Sequence, residues 1–207
     1  MNGDDISRIV YSKSVVEFVT VANEYCSFLE GVSSYTASRA LSVAQKILPL
    51  LYLKASLLPA VERMLDDETE KFVTELDYNV LLQKWILKLG DFDGFREVFE
   101  PGTEFSEDAM ESSISENLLD IYQDMKNFIS LYSLGNEEVM NDALNECIYQ
   151  FREYWGQRLV NVLRAIHALI VSGTDLDEVK EPGQVTPGKD ESDWLDGFFN
   201  QFRENNL

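Results

Sequence analysis

Between Asn136 and Ile170 the chain places apolar side chains at Met140, Leu144, Cys147, Phe151, Trp155, Leu159, Val162, Ile166 and Leu169, in steps of three and four and with no proline among them. That spacing predicts one long amphipathic helix with a single apolar stripe. At 1.5 Å per residue such a helix runs about 50 Å, the full height of a bundle, so the other helices have to be arranged around it. Two successive steps of four, Cys147 to Phe151 to Trp155, interrupt the seven-residue rhythm just before Gly156. A local bend or a close helix crossing is expected there.

The rest of the chain offers further helices to pack on this one. Residues 12–30 carry Val15, Phe18, Val19, Ala22, Tyr25, Cys26 and Leu29 on one face, with Gly31 as the stop. Residues 36–58 alternate Leu41, Ala44, Leu48, Leu51, Ala55 and Leu58, with Ile47, Leu50, Leu53 and Leu57 on the other sides, and a helix apolar all round is expected at the centre. Pro49 should kink it and Pro59 should help to end it. Thr74 and Asp77 have the spacing of a capping box ahead of Tyr78, Leu81, Leu82, Trp85 and Leu89, and Gly90 closes that helix. A turn and a short aromatic stretch with Phe95 and Phe99 follow, broken at Pro101 and Gly102. The next helix, 113–134, has Ile114, Leu118, Ile121, Met125, Phe128 and Tyr132 in register and a short link at Gly135, which makes it the antiparallel neighbour of the long helix. No strand pattern of comparable length is present. The fold class is therefore all-α, a single bundle of five or six main helices over residues 1–171.

Beyond Ser172 the character changes. Residues 172–191 are rich in acid, proline and glycine and read as a linker without a core of its own. Residues 192–207 then place Trp194, Leu195, Phe198, Phe199 and Phe202 at helical spacing behind Ser192. A tethered aromatic segment of this kind docks either in a groove of its own bundle or on another molecule.

Charge narrows the partners. Asp and Glu outnumber Lys and Arg by 37 to 17, a net charge of −20, which argues against binding nucleic-acid phosphates or anionic membranes through general electrostatics. The N-terminus lacks the basic region, apolar core and cleavage site of a secretory signal, and the most apolar run, residues 47–58, is too short for a membrane span. A cytoplasmic protein is expected. Cys26 and Cys147 both lie on apolar stripes, where a thiol behaves as a small hydrophobe, so neither a disulfide nor a metal is expected of them.

Several stretches resemble a known family. LLDIYQDMKNFISLY (118–132) and YWGQRLVNVLRAIHAL (154–169), together with FVTELDYNVL and DFDGFREVFEP, resemble a bacterial all-helical family, domain of unknown function 5063, over about residues 9–171. The resemblance implies a helical domain and brings no activity, substrate or cofactor with it.

Chemistry has few candidate residues. Glu116, Asp120 and Asp124 form an i, i+4, i+8 ladder, the arrangement by which helical metal-dependent nucleotide pyrophosphatases present oxygen ligands to Mg²⁺ or Mn²⁺. With Met125 at the centre of the buried stripe, the three carboxylates fall on the opposite side, and a solvated charged face is the expected reading. Glu138, Asp142 and Glu146 on the long helix repeat the pattern, with the same expectation. His167, the sole histidine, lies at the edge of the stripe and reads as a hydrogen-bonded boundary residue. Gln157, Arg158, Asn161 and Arg164 share one face, and Arg158 and Arg164 can grip an anion or pair with the chain's own acids, Asp120 and Asp124 among them. Tyr154 and Trp155 would flank a docking patch.

The leading functional reading is a non-enzymatic adaptor or regulator without a cofactor, binding a protein through the aromatic tail or a groove beside Trp155. The alternative is a metal-dependent hydrolase of a phosphorylated small molecule, with Glu116, Asp120 and Asp124 as ligands.

Overall fold

A computed structural model describes residues 3–66, 69–96 and 111–177. The helices are α1 (Gly3–Val10), α2 (Lys13–Glu30), α3 (Ala37–Ser56), α4 (Glu75–Leu89), α5 (Ile114–Tyr132), α6 (Glu137–Gln150) and α7 (Gly156–Val171). A π-helical turn, Phe151–Trp155, joins α6 to α7, so the two form one continuous helix at the position the periodicity gives. The turn accommodates the paired steps of four by adding a residue to one turn of the helix. Gly156 is what permits it: a Cβ there would lie 2.3 Å from the Phe151 carbonyl oxygen.

The core is the layer where α2, α3, α5 and the α6–α7 helix meet, with Phe18, Tyr25, Leu41, Ile47, Leu118 and Met125 fully enclosed. Buried polar atoms there are satisfied by backbone. Tyr25 Oη donates to the Leu118 carbonyl at 2.8 Å and Trp85 Nε1 to the Leu29 carbonyl at 3.2 Å. Helix starts follow the capping residues in the sequence. Thr74 and Asp77 form the reciprocal capping box, Ser113 caps α5, and Asn136 caps α6 through two backbone donors. Cys26 and Cys147 are free, buried thiols, as expected. Desolvation pushes both thiols up from their ordinary range, which holds them in the protonated form.

Four features differ from the sequence reading. Helix α1 adds a short packing unit, in which Ile6 and Val10 meet Met140 of α6 and the Val10 carbonyl accepts from Tyr132 Oη at 2.7 Å. Helix α3 runs unbroken through Pro49, but it is not central over its whole length, because Leu53 and Leu57 of its last turns are exposed. Its main packing partners, α2 and α7, cover two sides and leave the outer side to solvent. Residues 94–96 form β1 (Gly94–Arg96), paired antiparallel with β2 (Glu111–Ser113), a two-stranded ribbon at the base of α5. Phe95 packs on the core from this ribbon, whereas Phe99, Pro101 and Gly102 lie outside the described residues.

The fourth difference lies at residues 176 and 177, within the stretch read as a linker, which pack on the bundle. Leu176 is buried in the core, and Asp177 Oδ1 accepts from the backbone N–H of Ser38 at 2.9 Å, capping the start of α3. Residues 178–191, read from composition as a linker, and the aromatic stretch 192–207 with Trp194, Leu195, Phe198, Phe199 and Phe202 lie outside the described residues.

Candidate functional site

Helix α5 carries the first carboxylate ladder, and its members serve three different surroundings. Glu116 is exposed and lines an open cleft of about 620 Å³ together with Phe95, Arg96, Glu111, Ser112 and Ser113. Asp120 is the centre of a polar clamp. Its Oδ1 accepts from Tyr78 Oη of α4 at 2.8 Å, its Oδ2 accepts from Tyr154 Oη at 2.9 Å, and Arg158 Nη1 lies 3.2 Å from Oδ2. The Arg158 guanidinium also stacks 4.6 Å from the Tyr154 ring centre and donates to Asn117 Oδ1 at 3.4 Å. Burial first, and then the neighbouring Asp120, push the Tyr78 and Tyr154 hydroxyls up, so both stay protonated as donors. One carboxylate therefore ties α4, α5 and the α6–α7 helix together, and both of its oxygens are engaged by protein donors.

Asp124 faces a small pocket of about 20 Å³ lined by Thr69, Lys71, Asn127, Glu146, Cys147 and Gln150. Burial, reinforced by the Asp120 and Glu146 charges and opposed by Lys71, raises its carboxyl to about 6. The pocket holds about one water molecule, so this near-neutral acid has no room to meet a substrate. Lys71 instead reaches Glu146 at 3.5 Å. Among the described residues, no three His, Cys, Asp or Glu side chains come together as a metal would require.

The second ladder departs from the solvated face expected of it. Asp142 is 3% exposed and accepts from the backbone N–H groups of Met64 and Leu65 at 2.8 and 2.7 Å. Neighbouring amides do the same work: Asn127 Oδ1 accepts from Phe72 and Val73, while Asn141 and Asn145 donate to the Glu62 and Val61 carbonyls. These side chains strap the connection between α3 and α4 across the face of α5 and α6 and satisfy backbone groups that would otherwise be orphaned. The signal that could have found them is the cluster of Asn and Asp on a face opposite no apolar run, but their partners are 54 to 84 residues away in sequence.

The remaining candidates are placed as follows. Trp155 is 0% exposed and donates to the Cys147 carbonyl at 3.3 Å, so it belongs to the core and not to a docking patch. The π turn keeps it on the inner side, leaving only Tyr154 at the surface. Arg158 pairs with Asp120 of the neighbouring helix, the alternative to anion binding raised by its sequence context. Arg164 donates to the Arg96 carbonyl at 2.8 Å and so pins the ribbon. His167 is exposed and shares a hydrogen bond of 3.1 Å with Gln45 Nε2, as a boundary histidine should.

A further surface, which no sequence motif marks, is the outer side of α4. Leu76, Val80 and Leu87 are 72%, 50% and 73% exposed, and with Gln83 they fall in steps of four, three and four. Trp85 and Leu89 bury the opposite side, so α4 is apolar on two faces and only one has a partner among the described residues.

Fold and site together define an all-α bundle whose polar clusters hold its own elements together. The family model for domain of unknown function 5063 matches residues 9–172, and the chain belongs to that family. The crystal structure of protein BF1032 from Bacteroides fragilis is similar to it at 40% identity and a TM-score of 0.69, covering 86% of this chain and 99% of that one. No curated protein matches the chain. Among the described residues no helix is long and apolar enough to cross a membrane.

Proposed function

We propose that this chain is a non-enzymatic interaction protein, an adaptor or regulator of the cytoplasm, that binds a protein partner through the outer face of α4 and the aromatic segment 192–207. The observation that carries the reading is the stripe of Leu76, Val80 and Leu87, apolar and exposed at the spacing an amphipathic partner helix recognises. Polar groups support it from the other direction. The carboxylate of Asp120 is occupied by two tyrosines and an arginine, Asp124 opens on a space of one water, and Asp142 caps backbone. Asp120 and Asp142 are engaged by the protein's own donors, and Asp124 opens on a space too small for a phosphorylated substrate.

Affinity capture from a bacterial lysate tests the reading, with the full chain and its Leu76→Asp/Leu87→Asp variant as parallel baits. A partner retained by the first and lost by the second is expected. Retention of the same proteins by both baits, or of none by either, would remove the α4 face as the docking surface.

A further inference from the structure

We propose that residues 192–207 form a short helix lying antiparallel along the outer face of α4 in the same chain, covering Leu76, Val80 and Leu87 until a partner displaces it. The displacement clause rests on the interaction reading above; the intramolecular contact does not.

The first argument is where the chain leaves the bundle. Leu176 is buried and Asp177 caps Ser38 at the start of α3, immediately after the 3₁₀ turn Val32–Ser34 that packs against α4. The preceding residues reach the C-terminal half of α4 as well, through the edge contact of Phe28 with Trp85 and the hydrogen bond from Trp85 to Leu29. The 14 residues 178–191 span at most about 50 Å when extended, and α4 is about 22 Å long, so the aromatic segment reaches the whole stripe. It also arrives first at the Leu87 end, which favours the antiparallel direction.

The second argument is register. Leu195 and Phe202 are seven apart in the segment, as Leu87 and Val80 are in α4. Pairing Leu195 with Leu87 sets Phe202 on Val80 and leaves Phe198 and Phe199 over the Gln83 level. Trp194, Leu195, Phe198, Phe199 and Phe202 occupy one side of a helical projection, and Asp196, Asn200, Arg203 and Glu204 the other.

The third argument is charge. Lys84 is exposed beside the stripe and makes no ion pair with the described residues, in a chain with 37 acidic side chains. Antiparallel docking sets the acidic start of the segment over the Lys84 half of α4 and its Arg203 end over the acidic start of that helix, a match between the charges of the two ends and not between contact pairs. It also sets the two helix dipoles in opposition, which is the favourable sense. Parallel docking would bring Asp193 and Asp196 towards Glu75 and Asp77 instead.

Disulfide trapping in the full chain tests the contact, because Cys26 and Cys147 are buried and stay silent. The Leu87→Cys/Leu195→Cys variant, oxidised at low micromolar concentration, is expected to form an intrachain disulfide at least about tenfold faster than a Leu134→Cys/Leu195→Cys control, reflecting the higher effective concentration of docked ends. Adding Phe199→Pro, which breaks the helix, should bring the rate down to the control's. Products of two chains that rise with concentration would mean that a second copy covers the face, and equal rates for the two pairs would mean that the segment lies elsewhere; either result overturns the proposal. Capture by the Leu76→Asp/Leu87→Asp bait is read separately, so a failed disulfide with partner capture still lost in that bait sinks the intramolecular contact alone.

Discussion

Two surfaces of this bundle look opposite in sequence and turn out opposite in structure, in the reverse sense. The ladders on α5 and α6 are rich in carboxylates, yet Asp120, Asp124 and Asp142 all work inside the protein, against tyrosine hydroxyls, a lysine-bearing pocket and backbone N–H groups. The outer face of α4 presents leucine and valine, yet it is exposed. A carboxylate buries cheaply when it finds donors, and an apolar face is left bare when none of the described helices is placed to cover it. Charge in a helix therefore marks the solvent only when no neighbouring backbone or hydroxyl is within reach.

The contrast breaks hardest at Asp142. Replacing it with alanine strips two backbone N–H groups of their charged acceptor in a buried setting, and a loss of about 2–4 kcal/mol is expected from urea unfolding. Glu138→Ala, one helical turn earlier on the same ladder but exposed, should cost no more than about 0.5 kcal/mol. Equally small effects at the two positions would show that the α6 ladder faces solvent after all.

Helix positions in this chain were legible because they are set by local signals. The alternation on α2, α3 and α5, the Thr74–Asp77 box, Ser113 ahead of α5 and the paired steps of four at the π turn all act within one or two turns of where they are read. Helix α1 escaped because its two buried apolar residues, Ile6 and Val10, are too few to show a period. The polar cluster escaped for a different reason. What makes Asp120 a clamp is Tyr78, 42 residues before it, and Tyr154, 34 after it, a coincidence of tertiary packing that spacing on one helix does not encode. Arg158 is the partial exception, since pairing with an acid of the neighbouring helix follows from its face and the short link between the helices. Trp155 stands on the apolar stripe and the added residue of the π turn keeps it there, in the core, so the docking patch suggested by its neighbour Tyr154 does not include it.

Asp124 sharpens the comparison through pH. Its carboxyl is raised to about 6, chiefly by burial, from an ordinary value near 4. The native state therefore holds the proton more tightly than the unfolded chain, so this group costs stability above pH 6 and the cost is relieved as pH falls from about 6 towards 4. Asp124→Asn should stabilise the protein by about 1–2 kcal/mol at pH 8, less than the full linkage value because the side chain is only partly enclosed, and by much less at pH 4.5. Chemical unfolding at the two pH values reads the difference, and a destabilised variant at pH 8 would mean that the carboxylate has a donor worth more than its burial cost.

Within the Asp120 clamp, Tyr78→Phe removes one hydroxyl donor and leaves Tyr154 and Arg158 in place, so a loss of about 1 kcal/mol is expected, with no gain of metal affinity. A double-mutant cycle with Tyr154→Phe measures how far the two donors support each other through the shared carboxylate.

The smallest effect expected is the one that bears on chemistry. Glu116 lines the open cleft, Asp120 is held by hydroxyls and a guanidinium, and Asp124 faces the one-water pocket, so the three carboxylates open on three different surroundings. Millimolar Mg²⁺ or Mn²⁺ should then move the melting temperature by less than about 1 °C, since an ion that does not bind the native state selectively cannot stabilise it. Glu116→Gln should change stability by only about 0.3 kcal/mol, the share of one exposed acid in the first turn of a helix. A clear rise in melting temperature with either metal that disappears in Glu116→Gln would place a cation in the cleft beside Arg96 and Glu111, and would turn the charged face of α5, rather than the apolar face of α4, into the surface on which this protein acts.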